Sequence, residues 1–163
     1  MALHESLAWL EAQPFATAIA ESGWLFPTIE FVHVVALTLV VGSIAMLDLR
    51  LLGVSRKDYG VLELAAQTLP WTWGAFAVAL CSGVLMFASA ATSYADNMPF
   101  RIKLILLALA GINMAIFHVT AYRTAHRWNH QLPTPLAARI AGTLSLTFWI
   151  GVIFFGRWIG FVG

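Results

Sequence analysis

Two histidines stand inside stretches that otherwise carry almost only aliphatic and aromatic side chains. His33 lies in FPTIEFVHVVALTLVVGSIAMLDLRLLG, one helical turn after Glu30, and His118 lies in FRIKLILLALAGINMAIFHVTAYRTAHRWNH. The i, i+3 spacing puts the Glu30 carboxylate and the His33 imidazole on one helix face. There the carboxylate can orient the ring or meet a base from a neighbouring helix. Gly111, Met114, Ala115 and Tyr122 share the stripe of His118, and the small residues leave room beside the ring for something flat. Imidazoles so placed are candidate ligands for a haem iron or another transition metal, with Met86 and Met114 as soft partners. Lys103 and Arg157 supply cations able to meet haem propionates or to neutralise Glu30. The plainer alternative for Glu30 and His33 is a polar pair bonding helix to helix. His126 and His130 form an i, i+4 pair without a third ligand, which reads as a solvated loop before it reads as a metal site. The single cysteine, Cys81, allows neither an intrachain disulfide nor a cysteine-based metal centre.

Ionisable groups in apolar runs attract interest only if the runs cross a membrane, and the composition says that they do. The 163 residues are 60% hydrophobic and 10% charged, with a mean hydropathy of +0.81. Soluble domains carry roughly 25% charged residues, so this chain could not cover its surface in water. A net charge of +1 leaves no basic surplus for nucleic acid. Apolar stretches at 24–52, 70–91, 99–122 and 138–162 each exceed the roughly 18 residues needed to cross the hydrocarbon. Pro27, Pro70 and Pro99 fall near their starts, where a missing N–H is harmless. The expected fold is all-α, an integral membrane four-helix bundle over 24–163. It is preceded by an interfacial amphipathic helix at 1–23, where Leu3, Leu7 and Leu10 share a face. That segment lacks the basic start of a signal peptide, so no cleavage is expected. Residues 60–69 read as a second short amphipathic helix in the first loop.

The loops at 53–69 and 123–137, with their flanks, collect Arg50, Arg56, Lys57, Arg123, Arg127 and Arg139, whereas the other side has Arg101, Lys103 and Arg157. This bias puts both termini on the outer, periplasmic face. Trp24, Trp71, Trp73, Trp128 and Trp158 fall at span ends, as an aromatic belt would. Small residues Ala75, Ala79 and Gly83 on the second span, and Gly142, Ser145, Trp149, Gly156 and Gly160 on the fourth, read as close-packed seams. The first and third spans run in the same direction. His33 lies six residues outward of a centre at Leu39 and His118 six residues inward of one at Ile112, a stagger of roughly 18 Å at 1.5 Å per residue. Two axial ligands of one iron must meet at one atom, so two haem sites are expected rather than one shared site.

The motif HVVALTLVVGS followed by LDLRLLG, and the spacing from Lys103 to His118, resemble small bacterial membrane proteins of the HemJ and CopD type. The resemblance covers about 50 residues. It implies a helical bundle in a bacterial inner membrane that binds haem b or, in the CopD branch, handles copper. It points to His33, Arg50, Lys103 and His118. Leu39 and Val40 stand where the HemJ first helix has a tryptophan, a departure from the protoporphyrinogen-oxidising branch. Three functions follow: electron transfer through haem b between a quinol or periplasmic donor and an acceptor; copper or other metal permeation along Glu30, His33 and methionines; or a cofactor-free subunit packed against other membrane subunits. A di-iron bundle is disfavoured, because only Glu30 and His33 supply a Glu-x-x-His motif.

Overall fold

The computed structural model describes residues 2–55, 58–130 and 133–161, and every regular element among them is helical. Four helices are long and apolar enough to span a bilayer: α3 (Leu25–Leu51), α4 (Val61–Ala88), α6 (Met98–Val119) and α8 (Leu136–Trp158). The shortest, α6, has 22 residues and rises about 33 Å, against ~30 Å of hydrocarbon. Lipid offers no hydrogen bonds, so runs of this composition close their backbone groups internally as helices. The chain is a multi-pass, all-α membrane bundle. Short helices α1 (Ala2–Glu11), α2 (Pro14–Glu21), α5 (Ala91–Asp96) and α7 (Ala125–Trp128) complete it.

Three expectations are corrected. The described part of the 1–23 segment forms two helices, Ala2–Glu11 and Pro14–Glu21, because Pro14 has no N–H for the Leu10 carbonyl. Gln13 N–H bonds to Leu10 instead, ending α1, and Pro14 opens α2. Residues 61–69 are the first turns of α4, which runs unbroken through Pro70. That proline withholds one bond from the Ala66 carbonyl, and the packing of Ala75, Ala79 and Ser82 along α3 outweighs the loss. Trp71 and Trp73 consequently lie well inside α4, and Trp128 is buried in a core rather than placed in a belt.

α3 packs on α4 and α8, and α8 packs on α6, giving the order α4, α3, α8, α6; α4 and α6 have no extensive contact. At the end carrying the α3–α4 and α6–α8 connections, Leu51, Val61, Phe117, Trp128 and Ala138 form one core. Here Gly142 lets α8 approach α3 so closely that a Cβ would lie 3.3 Å from the Asp48 carbonyl. Gly53 adopts φ 73° just past α3, the left-handed cap for which glycine is suited. A second core of Val40, Ala75, Ala110, Trp149 and Val152 fills the middle. Toward the end that carries the N-terminal helices, the four long helices enclose space instead.

Candidate functional site

That space is a cavity of about 720 Å³, lined by Glu30, His33, Met86, Lys103 and Arg157 among others. Five sequence candidates from four different helices therefore meet in one place. Each is delivered by local packing. Gly83 on α4 lies under the His33 ring, and a Cβ there would stand 3.1 Å from His33 Cε1, so a larger residue would displace the ring. One residue earlier, the buried Ser82 lies 3.0 Å from His33 Nδ1 and donates its own proton to the Val78 carbonyl at 2.7 Å. A hydroxyl has one proton, so the remaining contact is Nδ1–H donating to Ser82 Oγ. This leaves Nε2 able to keep its lone pair, with the Ala79 carbonyl as a further backbone acceptor near the ring. An imidazole held through one nitrogen, with the lone pair kept on the other, is a ligand presented for coordination.

The charges are equally unspent. Glu30, Lys103 and Arg157 make no ion pair within 4.0 Å among the described residues. Half-buried Lys103 has no hydrogen-bond partner among them, and it lies against Gly156, with Nζ 3.8 Å from where a Cβ would stand. Arg157 rests on the Phe161 ring at 4.9 Å. Two cations against one carboxylate leave the cavity a positive surplus, which suits an anionic guest. Gly42 and Gly160 also line it and have nothing within 4 Å of a Cβ, so backbone forms part of the wall. Phe87, Tyr94 and Phe100 close one side, with Phe87 and Phe100 stacked at 5.5 Å and 11°. Burial, then the Glu30 carboxylate, push the Tyr94 phenol above its ordinary range.

His118 and Met114 do not join this site. His118 is in the last turn of α6, fifteen residues beyond Lys103, about 22 Å along the helix. Its stripe faces outward: Met114 is exposed, Gly111 has nothing within 4 Å of a Cβ, and Nδ1–H bonds to the Met114 carbonyl at 2.9 Å. Its ring packs on Tyr122 at 5.0 Å. Arg50 is also remote, seventeen residues after His33 and about 25 Å along α3. Gly156 and Gly160 line the cavity rather than a seam, and the close approach of α8 to α6 is at Gly151, where a Cβ would be 2.8 Å from Leu106. Among the described residues no group of three His, Cys, Asp or Glu could hold a bare metal ion. Ser82, the four cavity glycines and the aromatic trio were not among the sequence candidates. The signal for Ser82 was its place beside Gly83 on a small-residue stripe, readable only once α4 is known to face His33.

The chain belongs to DUF6644, a family of unknown function whose profile matches residues 8–162. No curated protein and no solved structure matches it.

Proposed function

We propose, from membership of a family without an assigned activity and from this cavity, that the protein is a membrane haem b protein that carries electrons between a quinol or periplasmic donor and an acceptor. The single observation behind this reading is His33, held at Nδ1 by Ser82 and lining a cavity of about 720 Å³ together with Lys103 and Arg157. That volume falls within the roughly 300–1,000 Å³ of cofactor and ligand pockets. The residues present fit the group. His33 would be the iron ligand, and Met86 is a thioether lining the same cavity from α4. Lys103 and Arg157 would hold the propionates, and Gly42, Gly83, Gly156 and Gly160 leave the walls thin beside the macrocycle. Bound haem supplies one-electron chemistry, and the axial ligands and local charge set its potential. Glu30 offsets one of the two cations and offers a carboxylate for protons in the cavity.

This reading takes one haem rather than two, because the surroundings of His118 form an outward face and not a cavity wall. It sets the protein in a bacterial inner membrane with both termini periplasmic, since six Lys and Arg fall on the loop side against three on the other. The cavity then lies toward the periplasm.

Reduced-minus-oxidised absorbance and a pyridine haemochrome assay on purified protein test the reading. The expected result is one haem b per chain, lost in His33→Ala and retained in His118→Ala. Wild-type protein without haem ends it.

A further inference from the structure

At the loop end of the bundle one carboxyl is buried without a counter-charge. Asp48 of α3 is 5% exposed, in the seam where Gly142 lets α8 come close, and its Oδ2 is sealed from solvent with no hydrogen-bond partner among the described residues. Ser145, three residues past Gly142, sets its hydroxyl beside the carboxyl. Asp48 makes no ion pair within 4.0 Å among the described residues. The charged groups nearby are engaged elsewhere or turned away. Arg50, two residues on, is spent on the Tyr59 and Asn129 carbonyls. Arg139 of α8 and His126 of α7 are exposed. Glu63, in the first turn of α4, bonds to Asn129. Between Lys103 and His118 α6 has no titratable side chain, and His118 bonds to its own helix.

We propose that Asp48 is a reversible proton-binding site that fastens α3 to α8 and exchanges its proton with water on the loop side. A carboxylate sealed from water with no cation beside it is among the costliest groups a protein can hold, whereas the neutral acid is an ordinary buried polar group. A metal ion would also offset the charge, but the close packing around Oδ2 leaves no room for one. A proton needs no space. In the exchange the acid O–H breaks, the proton passes to water, the carboxylate remains and no electron moves. The route is set by what lies on each side. Asp48 stands three residues before Leu51, the last residue of α3, about 4.5 Å along the helix, and the Thr134 hydroxyl bonds to the Leu51 carbonyl across that end. In the other direction the core of Val40, Trp149 and Val152 blocks the way. The proton therefore enters and leaves when the loop end opens. Ionisation strands a charge in the seam, so α3 and α8 part more readily as the pH rises. The site goes beyond the haem reading: it lies fifteen residues from His33, about 22 Å along α3, and needs no cofactor.

Infrared difference spectroscopy of the full chain in phospholipid nanodiscs, with the pH stepped from mildly acid to alkaline in H2O and in D2O, tests the site. The expected result is a protonated-carboxyl C=O band that shifts in D2O, disappears reversibly at alkaline pH, is absent from Asp48→Asn and is kept in Glu30→Gln. The unfolding midpoint of the wild type should fall as the pH rises, and Asp48→Asn should lose part of that fall. A band that Asp48→Asn leaves intact, or carboxylate bands alone at every pH, overturns the proposal. A band that persists at every pH where the chain stays folded marks a fixed structural acid and overturns it equally. Circular dichroism keeps misfolding separate. If Asp48→Asn does not fold, Ser145→Ala carries the test: it keeps the acid and removes the neighbouring hydroxyl, so the band should change frequency, and a band at the wild-type frequency counts against the site.

Discussion

The two ends of the bundle treat a buried cation in opposite ways. At the loop end Arg50 is fully buried and bonded to backbone: Nε donates to the Tyr59 carbonyl at 2.7 Å and Nη2 to the Asn129 carbonyl at 3.1 Å. Asn129 in turn caps α4. Its carbonyl accepts from Val61 N–H, its Oδ1 from Leu62 N–H at 2.8 Å, and its Nδ2 donates to Glu63. A Cβ at Gly60 would meet the Glu63 carboxylate and the Asn129 amide, and those two side chains would have to shift. At the other end Lys103 is half-buried, faces empty space and has no such bonds among the described residues. A cation bound to carbonyls holds elements together, whereas a cation kept beside a void awaits a partner. The same residue class therefore marks structure at one end and, on the function proposed above, binding at the other.

The largest effect that can test this contrast is Arg50→Ala. It removes two charge-assisted bonds and leaves a buried hole, so a loss of about 3 kcal/mol of stability is expected, read as a lower unfolding midpoint in detergent. Haem per folded chain should stay unchanged. A variant of normal stability that binds no haem, where the wild type does, would reverse the assignment of the two ends. Lys103→Met is the mirror experiment. Its stability should be unchanged or higher, because an unpaired charge is gone, while haem affinity falls about tenfold, worth ~1.4 kcal/mol. Equilibrium titration of apoprotein with haem reads this directly.

A steric pair comes next. Gly83→Ala puts a methyl group 3.1 Å from His33 Cε1, and the ring must give way by about a few tenths of an ångström. The expected outcome is a shifted haem band with partial occupancy. Gly42→Ala, with nothing within 4 Å of its new Cβ, should leave the spectrum as it was. Equal spectra for the two would show that the ring is not held against α4.

The four spans were legible because membrane helices must be long and apolar regardless of neighbours. Glu30, His33, Met86, Lys103 and Arg157 were legible because ionisable or soft groups are costly or conspicuous in lipid. What could not be read was which faces turn inward. His33 and His118 have equivalent sequence surroundings, yet one rests on Gly83 of a packed helix and the other looks outward. Arg50 read as a topogenic charge, because its carbonyl partners, at Tyr59 and Asn129, come from separate loops. Pro70 misled for a related reason, since α3 packing carries α4 through it.

The smallest expected effect concerns Tyr94, which closes the cavity together with Phe87 and Phe100. Burial is the larger cause of its raised pKa, and Glu30 the smaller. Tyrosinate is an anion, so a neighbouring carboxylate disfavours it and raises the pKa; Glu30→Gln removes that repulsion and must lower it. Burial persists in the variant, so Tyr94 should still ionise above the ordinary phenol value of about 10. Alkaline difference absorbance in a Tyr59→Phe, Tyr122→Phe background isolates the signal, since the chain has three tyrosines. A downward shift in Glu30→Gln is expected, and none in Glu21→Gln. An unmoved curve would mean that the Glu30 carboxylate points away from Tyr94, and the charge balance drawn for the cavity end would lose its one anion.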